Sequence, residues 1–233
     1  MYTITLDGPA KNALGSDMMQ AILDQLEEAD GQAILLTGAG DALSAGLNLN
    51  EIVSLDEAGM RTFLKLFESM VQALLFYPGP TCALVNGHAI AGGAIVTLCC
   101  DLSVSAPNPK ARIGLNEVAL GLRFPPRLLK AIAHRLPPHH REEVLLGSAL
   151  HSPQRAAELG LLTAVAEDPQ AWIETHFVPR TRYDLEAYAA AKQALRQGAM
   201  TISETEMAQY EAIIVPAWTS PELKATIRSL LGR

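Results

Sequence analysis

Residues 81–101 read TCALVNGHAIAGGAIVTLCCD, from Thr81 to Asp101. Thr81 to Val85 is an unbroken apolar run of strand length, and Gly92 to Cys99 is apolar on every side, as a helix inside a core must be. Two glycines, Gly92 and Gly93, open that helix. The charge-free stretch around this segment extends from Ser69 to Cys100, but Pro78, Gly79, Pro80, Asn86, Gly87, Gly92 and Gly93 interrupt it. A membrane-spanning helix is not built that way, so the stretch reads as a strand, a tight loop and a helix in deeply buried backbone.

Working outward, the same alternation holds on both sides. Tyr2 to Leu6 predicts a short strand ending at the Asp7-Gly8-Pro9 turn. Ser16 predicts a helix N-cap, with Met19, Ile22, Leu23 and Leu26 at helical spacing behind it. Ala33 to Thr37, closed by Gly38-Ala39-Gly40, reads as a strand buried on both faces. Met60, Phe63, Leu64, Phe67, Met70, Val71 and Leu74 form a long helical stripe. Leu102 to Ser105 and Ala111 to Leu115 read as extended. This order predicts an α/β fold with largely parallel strands and right-handed crossovers.

After about Phe124 strand signals almost vanish and helices dominate. Ser203 to Glu206 predicts a capping box, and Ser220-Pro221 an N-cap with proline at the first helical position. Leu223, Ile227, Leu230 and Leu231 leave an apolar face that a small appendage could hardly bury alone, so packing on the main body or on another subunit is expected. The division expected is an α/β core over 1–180 and a C-terminal helical region over 181–233 for packing and oligomerisation.

Composition excludes several classes of partner. The 18 Lys and Arg stand against 25 Asp and Glu, a net charge of −7, so no basic field gathers nucleic acid or an anionic membrane. The three cysteines, Cys82, Cys99 and Cys100, have neither disulfide-framework nor zinc-ribbon spacing. No basic, then apolar, leader is seen at the amino terminus, and a cytoplasmic location is the expectation. The six histidines form no spaced set, so no metal is expected. Gly38-Ala39-Gly40 is not a dinucleotide loop, because Leu43 holds the place of the third glycine. Ser44 lacks the elbow of a nucleophilic serine.

Three loops stand out: Leu43 to Leu49, Asn86 to Ala94 and Ile113 to Gly121. Each follows a predicted strand, and ligands in α/β sheets bind at such loops, which implies one composite site. Side-chain-free residues at Gly92-Gly93 let a ligand oxygen approach unpaired N–H groups at the positive end of a helix dipole. Ala45-Gly46 can supply a second N–H from the opposite side, giving two donors for one developing oxyanion.

At these residues the chain resembles the crotonase (enoyl-CoA hydratase/isomerase) superfamily. The motifs are Ala45-Gly46-Leu47-Asn48-Leu49, Asn86 to Gly93, Cys100-Asp101, and Glu117 ahead of Gly121, in the family's order. The resemblance implies a ββα spiral core and an acyl-CoA thioester whose carbonyl oxygen is held by the N–H groups of Ala45 and Gly92. It also implies substrate contacts from Gly46, Leu47, Asn48, Leu49, Gly93, Ile95 and Lys11, and assembly as a homotrimer or hexamer. No cofactor is expected, because CoA enters with the substrate. Hydratases of the superfamily carry two glutamates, one on the helix after the glycine pair and one near Glu117. Here the first position is Ile95. A lone carboxyl suffices to move a proton from C2 to C4 of a 3-enoyl thioester, and the run Ile113 to Glu117 is similar to that of 3,2-trans-enoyl-CoA isomerases. Glu117 is therefore expected to be the single acid/base. The rival expectations are hydration or thioester hydrolysis, with a second acid from Glu51 or elsewhere, and a non-catalytic acyl-CoA binding protein. Asn86 is expected to fix a turn, and Cys99 and Cys100 to lie in the core.

Overall fold

The computed structural model describes residues 1–232. Eight strands form two parallel sheets. The larger has the order β1-β2-β4-β6-β8, with β1 at Tyr2–Leu6, β2 at Ile34–Gly38, β4 at Thr81–Val85, β6 at Leu102–Ser105 and β8 at Ala164–Val165. The smaller has the order β3-β5-β7, with β3 at Ala42–Ser44, β5 at His88–Ile90 and β7 at Ile113–Gly114. The chain alternates between them: β2 then β3, β4 then β5, β6 then β7. Helices follow each pair, so the crotonase-like ββα spiral expected from the sequence is the fold observed.

Two strands of the smaller sheet, β3 and β5, fall at stretches read from sequence as loops, being three residues long and too short for an alternating pattern to show, whereas β7 lies in the stretch Ala111 to Leu115 that reads as extended. The strand β8 lies beyond Phe124, where strand signals fade, and pairs with β6 through Val104↔Ala164 and Ser105↔Val165. The helix Ser16–Ala29 starts at its predicted cap residue, and the N-cap is Gly15, one residue earlier. Ser16 instead gives its hydroxyl and its N–H to the Glu51 carboxylate, the latter at 3.0 Å.

The helix Glu57–Leu75 buries the predicted stripe from Met60 to Leu74. Beside it the helix Gly92–Cys99 is buried at all eight positions, with Cys99 and Cys100 in the core as expected. The Asn86 carboxamide does fix a turn, donating to the carbonyls of Gly38 and Gly40 at 2.8 and 3.0 Å. At the C-terminus, Ser203 and Glu206 form the capping box and Ser220 caps the helix Pro221–Leu231. Part of the apolar face of this tail packs on the chain's own body, while Leu231 stays exposed. Lys224 Nζ donates to the Leu55 carbonyl at 2.6 Å, and Leu223 and Ile227 are buried.

Candidate active site

The ends of the small-sheet strands meet around one apolar cavity of about 230 Å³. Its lining includes Ala45, Leu47, Leu49, Gly92, Ile95 and Glu117, all singled out by the sequence. Gly46, Gly93, Asn48 and Lys11 do not line it. Gly46 has φ +98°, and a Cβ there would stand 2.9 Å from the Ile90 carbonyl, so glycine lets the loop pass the neighbouring strand. Gly93 packs against the backbone of Ser44, where a Cβ would lie 2.4 Å from its carbonyl oxygen. Asn48 caps the helix Leu49–Ser54 by accepting from the N–H groups of Asn50 and Glu51. Lys11 is an exposed residue paired with Asp41. Asn48 and Lys11 thus each have a local partner outside the cavity lining.

The donor pair also differs from the expectation. The Ala45 N–H is not free, since it donates to the Lys11 carbonyl at 2.9 Å. Two residues on, the Leu47 N–H has no acceptor among the described residues, although the N–H groups of Gly46 and Asn48 on either side are hydrogen-bonded. The Gly92 N–H is likewise free, as the first amide of its helix must be. The two are close: a Cβ placed on Gly92 would stand 3.5 Å from the Leu47 nitrogen, and one placed on Gly46 would stand 3.4 Å from the Gly92 nitrogen. Leu47 therefore replaces Ala45 as the partner of Gly92. Residue type could not distinguish them, because the acceptor that occupies Ala45 comes from the amino-terminal segment.

That segment is itself unusual. Ala10, Lys11 and Asn12 are consecutive left-handed residues with φ of 53, 59 and 59°. Asn12 holds the turn, donating from Nδ2 to the carbonyls of Ala39 and Ala42 at 2.9 Å. Ala91, immediately before the glycine pair, adopts φ 49° and ψ −115°, a region that disfavours a side chain. Its N–H donates to the Gly114 carbonyl at 2.8 Å, which anchors the start of the helix to β7.

Glu117 follows β7 and is 6% exposed. Its Oε2 is buried without a hydrogen-bond partner, and burial pushes the carboxyl up to about 7 against a slight opposing pull from its own N–H. Among the described residues it is the only carboxylate lining the cavity. Ile95 stands at the position where a second glutamate would be. Glu51 does not line the cavity and is engaged by Ser16. Beside Glu117, Asn116 was missed by the sequence reading, and its Oδ1 is buried and unpartnered in the same cavity. Phe124, Leu128, Trp218 and Leu230 were also missed, having no motif to mark them. Among the described residues there is no group of three or more potential metal ligands, and no helix is long and apolar enough to cross a membrane.

A ββα spiral whose strand ends hold a buried lone carboxyl and two free amides defines a class of enzymes acting on acyl thioesters. The enoyl-CoA hydratase/isomerase family model matches residues 1–222, and the chain belongs to that family, within the crotonase superfamily. It is 30% identical over 217 residues to the 2,3-dehydroadipyl-CoA hydratase of Escherichia coli (strain K12), covering 88% of this chain and 82% of that protein. It is 29% identical over 174 residues to the mitochondrial enoyl-CoA delta isomerase 1 of Mus musculus, covering 71% and 59%. The crystal structure of human mitochondrial delta3-delta2-enoyl-CoA isomerase shares the fold with a TM-score of 0.82 at 23% identity, covering 97% of this chain and 90% of that one.

Proposed function

We propose that the protein is a 3,2-enoyl-CoA isomerase in which Glu117 is the single acid/base. One observation carries this reading: among the described residues no carboxylate other than Glu117 lines the cavity, and Ile95, where the family resemblance expects a second, is apolar. The Glu117 carboxylate removes a proton from C2 of a 3-enoyl thioester, and the C–H electrons become the enolate π bond. The N–H groups of Leu47 and Gly92 hold the enolate oxygen. As the enolate collapses, the double bond moves from C3–C4 to C2–C3 and the carboxyl returns its proton to C4. Two aligned donors are worth much here, since loss of one typically costs about 3 to 4 kcal/mol of barrier. The carboxyl value near 7 suits a group that must take and return a proton at neutral pH.

The test is conversion of 3-enoyl-CoA to the conjugated 2-enoyl thioester, followed by ultraviolet absorbance. Water addition is the second reading, and the unpartnered Asn116 Oδ1 favours it, since that oxygen beside Glu117 can accept a hydrogen from a bound water. Sustained formation of 3-hydroxyacyl-CoA from 2-enoyl-CoA, faster than double-bond migration, would select it. Assembly as a homotrimer or hexamer is proposed on the family resemblance, and light scattering of the purified protein tests it.

A further inference from the structure

We propose that Trp218 sets the longest acyl chain the cavity accepts, an assignment that rests on the acyl-CoA reading above. The groups that face the thioester, Leu47, Gly92 and Glu117, sit at strand ends of the small sheet. The wall built from helices is wholly apolar and includes Leu64, Phe67, Trp218 and Leu230. A chain leaving the enolate carbon meets apolar side chains throughout the cavity, and on the helical wall it meets the bulkiest of them, Trp218.

Trp218 is the largest side chain on the wall and is 3% exposed. Its one polar atom is satisfied, with Nε1 donating to the Arg123 carbonyl at 2.8 Å, so the ring is pinned. The helices around it are tied to the body as well. Arg61 Nε meets Glu211 at 2.8 Å and Lys224 reaches the Leu55 carbonyl. A pinned indole in close-packed surroundings does not yield volume to a longer chain.

The experiment titrates butyryl-, hexanoyl-, octanoyl-, decanoyl- and dodecanoyl-CoA into the wild type, Trp218→Ala and Trp218→Leu by calorimetry. These saturated thioesters bind without turnover. In the wild type, affinity should rise about fourfold per methylene until a limiting length and then stop rising. Trp218→Ala should move that limit to longer chains, and Trp218→Leu should move it by less; Trp218→Leu carries the test if the alanine variant does not fold. An unchanged limit in a folded variant overturns the assignment of Trp218 and leaves the acyl-CoA reading standing. Absence of binding by every thioester to the wild type overturns both.

Discussion

The Leu122 N–H donates to the Glu117 carbonyl at 2.9 Å, closing a tight turn that fixes the Glu117 backbone while its Oε2 stays unpartnered. Gly121, with φ +75°, supplies the left-handed residue that the turn needs. The carboxyl is thus aimed by its backbone and carries no internal partner to hinder proton exchange. Glu117→Gln keeps the shape and removes the base. It should lower the rate of double-bond migration by about 10² to 10⁴, with acyl-CoA affinity little changed. Undiminished turnover in the absorbance assay would remove Glu117 from its role.

The same burial makes stability depend on pH. The carboxyl moves from 4.5 to about 7 on folding, so the native state prefers the protonated form. Its contribution to stability is complete below about 4.5 and is lost as pH rises through about 7. Activity should run the opposite way, with kcat/KM rising through about 7 as the base form appears. Glu117→Gln should therefore become more stable than the wild type as pH increases, by up to about 3 kcal/mol at pH 8. Glu68 is also pushed up to about 7 by burial, but it is common to both proteins and cancels. Urea unfolding at pH 5 and pH 8 measures the difference, and an equal gap at both values would refute it.

Gly93 has no room for a side chain. Its Cβ would lie 2.4 Å from the Ser44 carbonyl oxygen, and backbone on both sides must shift to admit it. Gly93→Ala should cost about 1 to 3 kcal/mol of stability and, by displacing the helix start, reduce activity as well. A variant with wild-type thermal stability would show that the contact relaxes freely.

Ala91 holds a backbone conformation that glycine adopts without strain. Ala91→Gly should stabilise the protein by about 1 kcal/mol, since relief of strain outweighs the added freedom of the unfolded chain. A lower melting temperature in this variant would contradict the strain argument.

Asp101 is the centre of a buried charge cluster. Its carboxylate accepts from Arg196 at 2.7 Å, Lys192 at 2.8 Å and the Tyr188 hydroxyl at 2.9 Å. Arg196 also caps the helices Glu57–Leu75 and Gly92–Cys99, donating to the carbonyls of Leu75 and Cys99. Asp101→Ala strands two buried cations and should cost about 3 to 5 kcal/mol, measured by urea unfolding. A loss below about 1 kcal/mol would mean that water compensates the cluster.

Much of the frame was legible because it rests on local patterns. Apolar runs of strand length at Thr81–Val85 and Leu102–Ser105 coincide with β4 and β6, and the stripe from Met60 to Leu74 needs only helical spacing. The strands β3 and β5 were not legible, because three residues carry no period and their pairing partners are distant along the chain, whereas β7 lies in the stretch Ala111 to Leu115 that reads as extended. The same holds for β8, whose two residues join the sheet through a partner strand some sixty positions earlier.

The amino-acid order alone settled the alternation of elements, the glycine pair that opens a buried helix, and the apolar residue at position 95. These are properties of neighbours along the chain, where spacing and side-chain size suffice. Only the tertiary structure decided that Lys11 consumes the Ala45 amide and leaves Leu47 free, that Glu117 is desolvated, and that Trp218 lines the cavity. Hydrogen-bond partners and desolvation are set by atoms distant in sequence, so no local reading contains them.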